Sequence, residues 1–455
     1  MHSTIHVTHE FTDDEFTNCY DPGMSFVRAA VLIGLSVMQT ANLTPDERAL
    51  AAYVDAHNSE SLALLERVVN INSGTQNFDG VREVGRVFAA ELDRLGFQTR
   101  WVDGAAFKRA GHLVAEHRRT GPRMLLIGHL DTVFEKDSPF QKFERVDDRT
   151  ARGPGIIDMK GGDVVMIGAL KALQAVGTLE SMNVVVVMTG DEEDSGDPLN
   201  VAREALVTAA KGADVAIGFE DGPGDPRLAV TARRGTIGWQ VRAHGTPAHS
   251  SQIFRDDIGY GALYELARIL NAFRERMAGE AHLTFNPGVI LGGTSVDFDS
   301  VQLRGTAFGK TNVVAEHAIA AGDLRALSRE QFDKARQTMS EIVAASLPHT
   351  SATITFDDGY PPMAPTEGNA RLLAMYDQAS RDLGFGSVTA VSPDRAGAAD
   401  VSFVATEVGG IIDGVGLMGH DDHTANETAD LSTLRSQTQR MAILLPRLAK
   451  NGLAK

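Results

Sequence analysis

The chain has 455 residues, 43% hydrophobic and 23% charged, with 43 Lys and Arg against 60 Asp and Glu for a formal net charge of −17. This is the composition of a soluble globular protein too long for one ordinary core, so two domains are expected. The sequence has no Lys/Arg block to attract nucleic acid, and its single cysteine, Cys19, excludes an internal disulfide and a cysteine-ligated zinc. Any metal must be held by His, Asp and Glu, which favours a catalytic ion over a structural one.

Residues 1–43 read as an N-terminal extension. The first 23 are polar and patternless; from Met24 the chain reads Met-Ser-Phe-Val-Arg28, then an apolar stretch from Ala29 to Met38, then Gln-Thr-Ala41. This is either a secretory signal starting at an internal Met, giving a periplasmic or secreted protein, or a short helix at the start of a cytoplasmic one. The stretch is too short to span a membrane as a mature helix, so no membrane partner is expected.

Thr44-Pro45-Asp46-Glu47 is a helix-start signal, and Leu62, Leu64, Leu65, Val68 and Val69 continue at helical spacing, predicting a helix over 44–70. A second helix covers 79–95 and stops before Gly96. Strands at 124–127, 183–188 and 214–219 then alternate with helices at 161–176 and 200–210, the pattern of a doubly wound parallel or mixed sheet. Near Arg233 the pattern changes. A strand at 236–243, a helix at 257–278, strands near 284–291, 301–309 and 312–325, a helix at 328–346 and a strand at 352–356 predict a small sheet with two helices on one face. After Pro361-Pro362 the α/β pattern resumes and ends in a helix at 430–449. The expected organisation is therefore an α/β domain formed by 44–232 and 359–455, with an α+β domain, 233–358, inserted into it.

Five motifs lie at or just past the ends of predicted elements, where open α/β sheets place ligands. The valine run of Asn183–Met188 needs cover on both faces. Directly after it come Asp191-Glu192-Glu193-Asp194, costly unless something positive neutralises them. Adjacent residues of an extended chain point apart, so Glu192 and Glu193 are expected to divide into one metal ligand and one proton carrier. In Gly128-His129-Leu130-Asp131, residues two apart face the same side, so either Asp131 orients the His129 ring toward a metal or His129 is a satisfied core histidine. Asp158, in Gly153-Pro-Gly-Ile-Ile-Asp158-Met-Lys-Gly-Gly162, is either the N-cap of the next helix or a carboxylate bridging two metals. Gly161 and Gly162 open that helix where better helix formers are expected, which points to a close backbone approach. Glu220 follows the strand at 214–219 and could equally be a turn acid before Asp221-Gly222. His423 lies in the polar loop Gly419–Glu427, with His420 as a competing ligand.

His129, Asp158, Glu193, Glu220 and His423 would give two zinc ions one shared carboxylate and two further ligands each. A glutamate with a pKa of about 4.3 is a hopeless base toward free water at about 15.7, whereas zinc lowers bound water to about 7. Glu192, spared from ligation, is the natural base. Asp191 and Asp194 are left as turn and surface residues.

Together and in this order, these motifs resemble the di-zinc exopeptidase family of glutamate carboxypeptidase, acetylornithine deacetylase, succinyl-diaminopimelate desuccinylase, aminoacylase and carnosinase-type dipeptidases. The resemblance covers about residues 60–455 and is nearest to the glutamate carboxypeptidase branch. It implies a zinc-exopeptidase-like α/β catalytic domain with a mixed, mostly parallel sheet, and an inserted two-layer lid and dimerisation domain. It also implies two zinc ions per chain (with cobalt or manganese as substitutes), His129, Asp158, Glu193, Glu220 and His423 as ligands, Asp131 as orienter and Glu192 as general base. Gly245-Thr-Pro-Ala-His249 resembles a segment whose histidine polarises the scissile carbonyl, often from the partner subunit of a homodimer. Asn312 and Arg325 match positions that hold a substrate's free carboxylate, a planar group that Arg suits. Two departures stand out: Gly397-Ala398-Ala399-Asp400 replaces a Gly-Gly-Thr-Asp-type loop, and Asp221 follows Glu220 where proline is common. The expected activity is hydrolysis of an amide bond beside a free carboxylate, on a small peptide. The alternatives are deacylation of an N-acyl amino acid or dipeptide cleavage and, more distantly, a metal-dead binding protein.

Overall fold

The computed structural model describes residues 42–300 and 302–453; Cys19 and the signal-like stretch lie outside them. Helix α1 (Pro45–Val69) opens with a capping box. Thr44 Oγ1 accepts from the Glu47 amide at 3.2 Å, and Glu47 Oε2 accepts from the Thr44 amide at 2.7 Å. Helix α2 (Phe78–Arg94) leads into β1 (Gln98–Asp103), β2 (Gly111–His117) and β3 (Arg123–His129). Helix α3 (Lys160–Ala175), β4 (Asn183–Thr189), helix α4 (Glu204–Ala210) and β5 (Val215–Gly218) follow.

Gly235–Phe356 then builds a separate sheet from β6 (Gly235–Gly245), β7 (Thr284–Gly293), β8 (His317–Ala326) and β9 (Thr350–Phe356), with α5 (Gly261–Met277) and α6 (Arg329–Ala344) between strands. The chain returns through α7 (Glu367–Asp382), β10 (Ile411–Ile412) and α8 (Leu431–Asn451). No helix among the described residues is long and apolar enough to cross a membrane.

The main sheet runs β1-β2-β4-β3-β5-β10, parallel from β4 to β10 and antiparallel at β1 and β2. Alternate valines of β4 enter different cores. Val184 and Val186 pack with α1, α3 and α8, while Val185 and Val187 pack with α4 and the segment around Val401. This two-sided burial accounts for the unbroken apolar run. The strands β1 and β2 have no counterpart in the sequence reading. The edge strand β1 is Gln-Thr-Arg-Trp-Val-Asp and mostly wet, and β2 carries His112 and Glu116, so neither has a strong apolar period.

The predicted helix at 200–210 is two short helices, Leu199–Ala202 and α4, that break at Arg203. The Gly161-Gly162 pair makes room for protein rather than ligand: a Cβ on Gly162 would stand 1.8 Å from the Phe219 carbonyl oxygen.

The second sheet runs β7-β8-β6-β9, antiparallel throughout. Ile237, Trp239, Val241 and Ala243 of β6 face α5 and α6, and the alternate residues face away. The predicted strand at 301–309 does not join this sheet. Arg304–Phe308 pairs with Ser295–Asp299 in a separate exposed hairpin, because neither strand has an apolar face wide enough to bury. The linkers into and out of the inserted segment run side by side, through antiparallel bridges Arg233–Met363 and Thr236–Tyr360.

Phe273 is 1% exposed and meets Trp239 edge to face at 5.7 Å between ring centroids. Phe273→Ala is expected to destabilise the inserted segment by about 3–5 kcal/mol. Denaturant unfolding followed by tryptophan fluorescence checks this, and a change under 1 kcal/mol, on the order of a surface substitution, would contradict the packing.

Candidate metal centre

Three adjacent parallel strands, β4, β3 and β5, end at one place. His129 closes β3, Glu192 and Glu193 follow β4, and Glu220 follows β5. Asp158 reaches them from the loop before α3, and His423 from the loop between the short strands Gly419–His420 and Thr428–Asp430. Asp158 is not a helix cap: Met159 occupies that position and no side chain caps it. One Asp158 oxygen lies 3.0 Å from His129 Nε2, the other 2.9 Å from His423 Nε2. Glu220 Oε1 is 3.7 Å from His129 Nε2, and Glu193 Oε2 is 3.2 Å from His423 Nε2.

Two donor groups result, His129–Asp158–Glu220 and Asp158–Glu193–His423, each with ligand atoms within 4.8 Å of one another, and they share Asp158. Each offers one imidazole nitrogen and two carboxylate oxygens, and Glu193 Oε1 is buried with no hydrogen-bond partner. This donor set fits a pair of bridged divalent cations. His420 lines the neighbouring cleft and belongs to neither group.

Buried carboxylates behind the site hold its backbone. Asp131 is fully buried. Its Oδ1 and Oδ2 accept from the Glu192 and Glu193 amides, each at 3.1 Å, and Oδ2 also accepts from Thr75 Oγ1 at 2.7 Å. His129 Nδ1 is 3.1 Å from the Asp131 main-chain oxygen and 3.5 Å from its carboxylate, which turns Nε2 toward Asp158 and Glu220. Two further residues do the same work without having been singled out from the sequence. Glu427 accepts from the amides of Gly155, Ile157 and Asp158 at 2.9, 2.9 and 3.3 Å. Asp413 accepts from the Glu220 amide at 3.3 Å and pairs with Arg233 at 2.8 Å. The signal for Glu427 was its place four residues after His423 in the same loop; Asp413 gave none.

Asp194 is exposed, as expected, but Asp191 is not a surface residue. It is fully buried, and its carboxylate accepts from Arg203 at 2.7 Å and from the Gly196 amide at 2.8 Å. Arg203 also pairs with Asp400 at 2.8 Å and donates to Tyr360 Oη at 2.9 Å. Tyr360 in turn donates to the Glu192 carbonyl at 2.8 Å. Asp400, part of the departing Gly397–Asp400 loop, therefore serves this buried network.

Crowding shifts the ionisation of the whole group. Burial pushes Glu192 and Glu220 well above the usual carboxylate range, and the neighbouring acids add to it against His129. Burial also raises Glu193, to about 7. Burial alone would lower His129, but Glu220, Asp131 and Asp158 raise it well above its ordinary value. Hydrogen bonds to Asp158 and Glu193 raise His423 to about 11.

Beside the donor groups lies a cleft of about 390 Å³. Asp158, Glu192, Glu220 and His423 line one part of it, and Val230 and Val391 another. His249, Asn312 and Arg325 do not line it. His249 is exposed, with Nδ1 2.8 Å from Ser251 Oγ, and it bridges Val313, beside Asn312. Arg325 pairs with Asp323 at 2.9 Å on β8.

Comparison with known proteins agrees with this geometry. Residues 125–447 match the model for peptidase family M20/M25/M40. Carboxypeptidase G2 of Pseudomonas sp. (strain RS-16) is 27% identical over 425 residues, spanning 92% of this chain and 96% of that protein. The succinyl-diaminopimelate desuccinylase of Gluconacetobacter diazotrophicus is 27% identical over 250 residues, 52% of this chain and 61% of its own length. Among solved structures, aminopeptidase PepT of Bacillus cereus superposes with a TM-score of 0.69 at 17% identity, covering 88% of this chain and 99% of that one.

Metal loading at these two groups would displace protons held on His129, His423, Glu193 and Glu220. Affinity is therefore expected to rise with pH, by about tenfold per unit for each proton displaced. Calorimetry of the metal-free protein in buffers of different ionisation enthalpy measures the protons released; a pH-independent affinity with no release would contradict this ionisation pattern.

Proposed function

The chain belongs to peptidase family M20/M25/M40, and from that premise we propose that it is a dizinc hydrolase that cleaves an amide bond beside a free carboxylate, in the manner of a glutamate carboxypeptidase. One observation carries the assignment of roles. Glu193 turns an oxygen to His423, while its neighbour Glu192 belongs to neither donor group and faces the cleft. His129, Asp158 and Glu220 would hold one zinc, and Asp158, Glu193 and His423 the other. Bound there, the metals supply Lewis-acid chemistry, polarising a carbonyl and bringing water's pKa from 15.7 to about 7.

The remaining work falls to side chains. Glu192 takes a proton from the attacking water as its oxygen bonds to the carbonyl carbon. It returns that proton to the nitrogen as the C–N bond breaks, leaving a carboxylic acid and an amine. Asp131 keeps the base and its ligand neighbour in place through their amides. Arg325 and Asn312 are proposed to receive the substrate's free carboxylate, and His249 its scissile carbonyl. Because these three stand outside the cleft of their own chain, His249 is proposed to act on the partner subunit's substrate.

That arrangement requires a homodimer, which we place at the inserted segment. Seven of the eight exposed large hydrophobics among the described residues belong to this segment, Leu263 and Tyr264 on α5 and Ile290 on the edge strand β7 among them. An apolar patch beside an open strand edge is a surface that pairs. The likeness to a desuccinylase supports a second reading, deacylation of an N-acyl amino acid, which needs the same metals and base.

Glu192→Ala is expected to lose about 10²–10⁴ in kcat on a panel of dipeptides and N-acyl amino acids while keeping its zinc; retention of most activity with zinc bound would remove Glu192 from the mechanism. Ile290→Glu is expected to convert a dimer to monomers by light scattering and to abolish turnover with the metal content intact. A fully active monomer would show that His249 does not act in trans.

A further inference from the structure

A second constellation of ligating side chains lies on the inserted segment and shares no residue with the centre described above. His244 of β6 and His317 of β8 are direct partners across the antiparallel ladder, so both side chains leave the same face of the sheet. It is the face opposite α5 and α6, where the alternate residues of β6 point away from the core. The two imidazole rings are 5.2 Å apart between centroids and tilted by 47°. Glu316 precedes His317, with Oε1 3.7 Å from His317 Nε2. One ligand atom from each of the three lies within 4.8 Å of the others.

The backbone beneath them is fixed. The Gly245 amide donates to the Glu316 carbonyl at 2.9 Å, and the Glu316 amide donates to the Gly293 carbonyl at 3.0 Å. A shallow cleft of about 280 Å³, lined by Arg242, Val296, Ser351 and Thr353, opens onto the histidine pair. We propose that His244, His317 and Glu316 form a separate surface site for a first-row divalent transition ion such as zinc.

Two imidazoles and one carboxylate select this class of ion over magnesium or calcium, which prefer all-oxygen shells. Three protein ligands leave a coordination position for water. Tetrahedral zinc at about 2.1 Å from each donor sets the donors about 3.4 Å apart. His317 and Glu316 side chains are 46% and 31% accessible, which leaves them free to turn the remaining distance. An ion held here ties β6 to β8, the two central strands of the inserted sheet, and should stabilise that sheet by binding only its folded form.

Equilibrium dialysis of the full-length protein against Zn²⁺, read as zinc per chain, tests the site. Wild type is expected to bind one more zinc than His244→Ala or His317→Ala, and Glu316→Gln to bind that zinc more weakly. Asp158→Ala, which removes the shared ligand of the other centre, is expected to keep the extra zinc, so failure of the surface site and failure of the catalytic reading give different counts. Cu²⁺ bound to the Asp158→Ala protein should show two nitrogen ligands by electron paramagnetic resonance, and none after His244→Ala and His317→Ala are added. Equal zinc counts in wild type and the histidine variants, with folding confirmed by circular dichroism, would overturn the proposal.

Discussion

Like-charge repulsion at the ends of β4, β3 and β5 is the constraint on which the rest of this structure depends. Asp158, Glu192, Glu193 and Glu220 converge there, with His129 and His423 among them and the Arg233 guanidinium near enough to act on Glu220. Left to themselves, such groups would separate or take up protons, and burial has already driven three of them in that direction. A bridging cation pair resolves the repulsion. The backbone carrying the acids must also stay in place before any cation arrives, and that is the task of the buried carboxylates behind it. Asp131, Glu427 and Asp413 accept main-chain amides from the ligand-bearing loops. Acids in front face one another across the two donor groups and acids behind receive N–H groups, so the same residue type stands in two environments according to what it faces.

Much of this arrangement was legible in the sequence, because its signals were local. The capping box of α1, the unbroken valines of β4 and the acids directly after a strand each reflect a constraint that acts within a few residues. Adjacency alone predicts that Glu192 and Glu193 point apart, and the structure turns Glu193 toward His423 and Glu192 toward the cleft. What was hidden depends on partners far along the chain. Asp191 looks like its neighbour Asp194 until Arg203, twelve residues on and between two short helices, brings its guanidinium inward. Asp413 and Glu220 are 193 residues apart. The edge strands β1 and β2 escaped notice because one is mostly wet and the other interrupts its apolar pattern with His112 and Glu116.

The inserted segment follows a different economy. Its helices and sheet enclose one core around Trp239 and Phe273, but seven large hydrophobics and the His244–Glu316–His317 cluster stay at its surface. The larger sheet is covered on both faces; the sheet of the inserted segment leaves the face opposite α5 and α6 open, and its edge strands β7 and β9 pair with no further strand among the described residues.

Tyr360 joins the two halves in a way that plain linkers would not. It lies in the return strand beside Thr236, and its hydroxyl bonds to the peptide carbonyl of Glu192. The pivot of any rigid-body swing is thus tethered to the main chain of Glu192. A rotation of the inserted sheet about these linkers must either stretch that tether or carry the peptide with it. Any swing of the inserted sheet and the setting of the Glu192 main chain are then one mechanical coordinate rather than two.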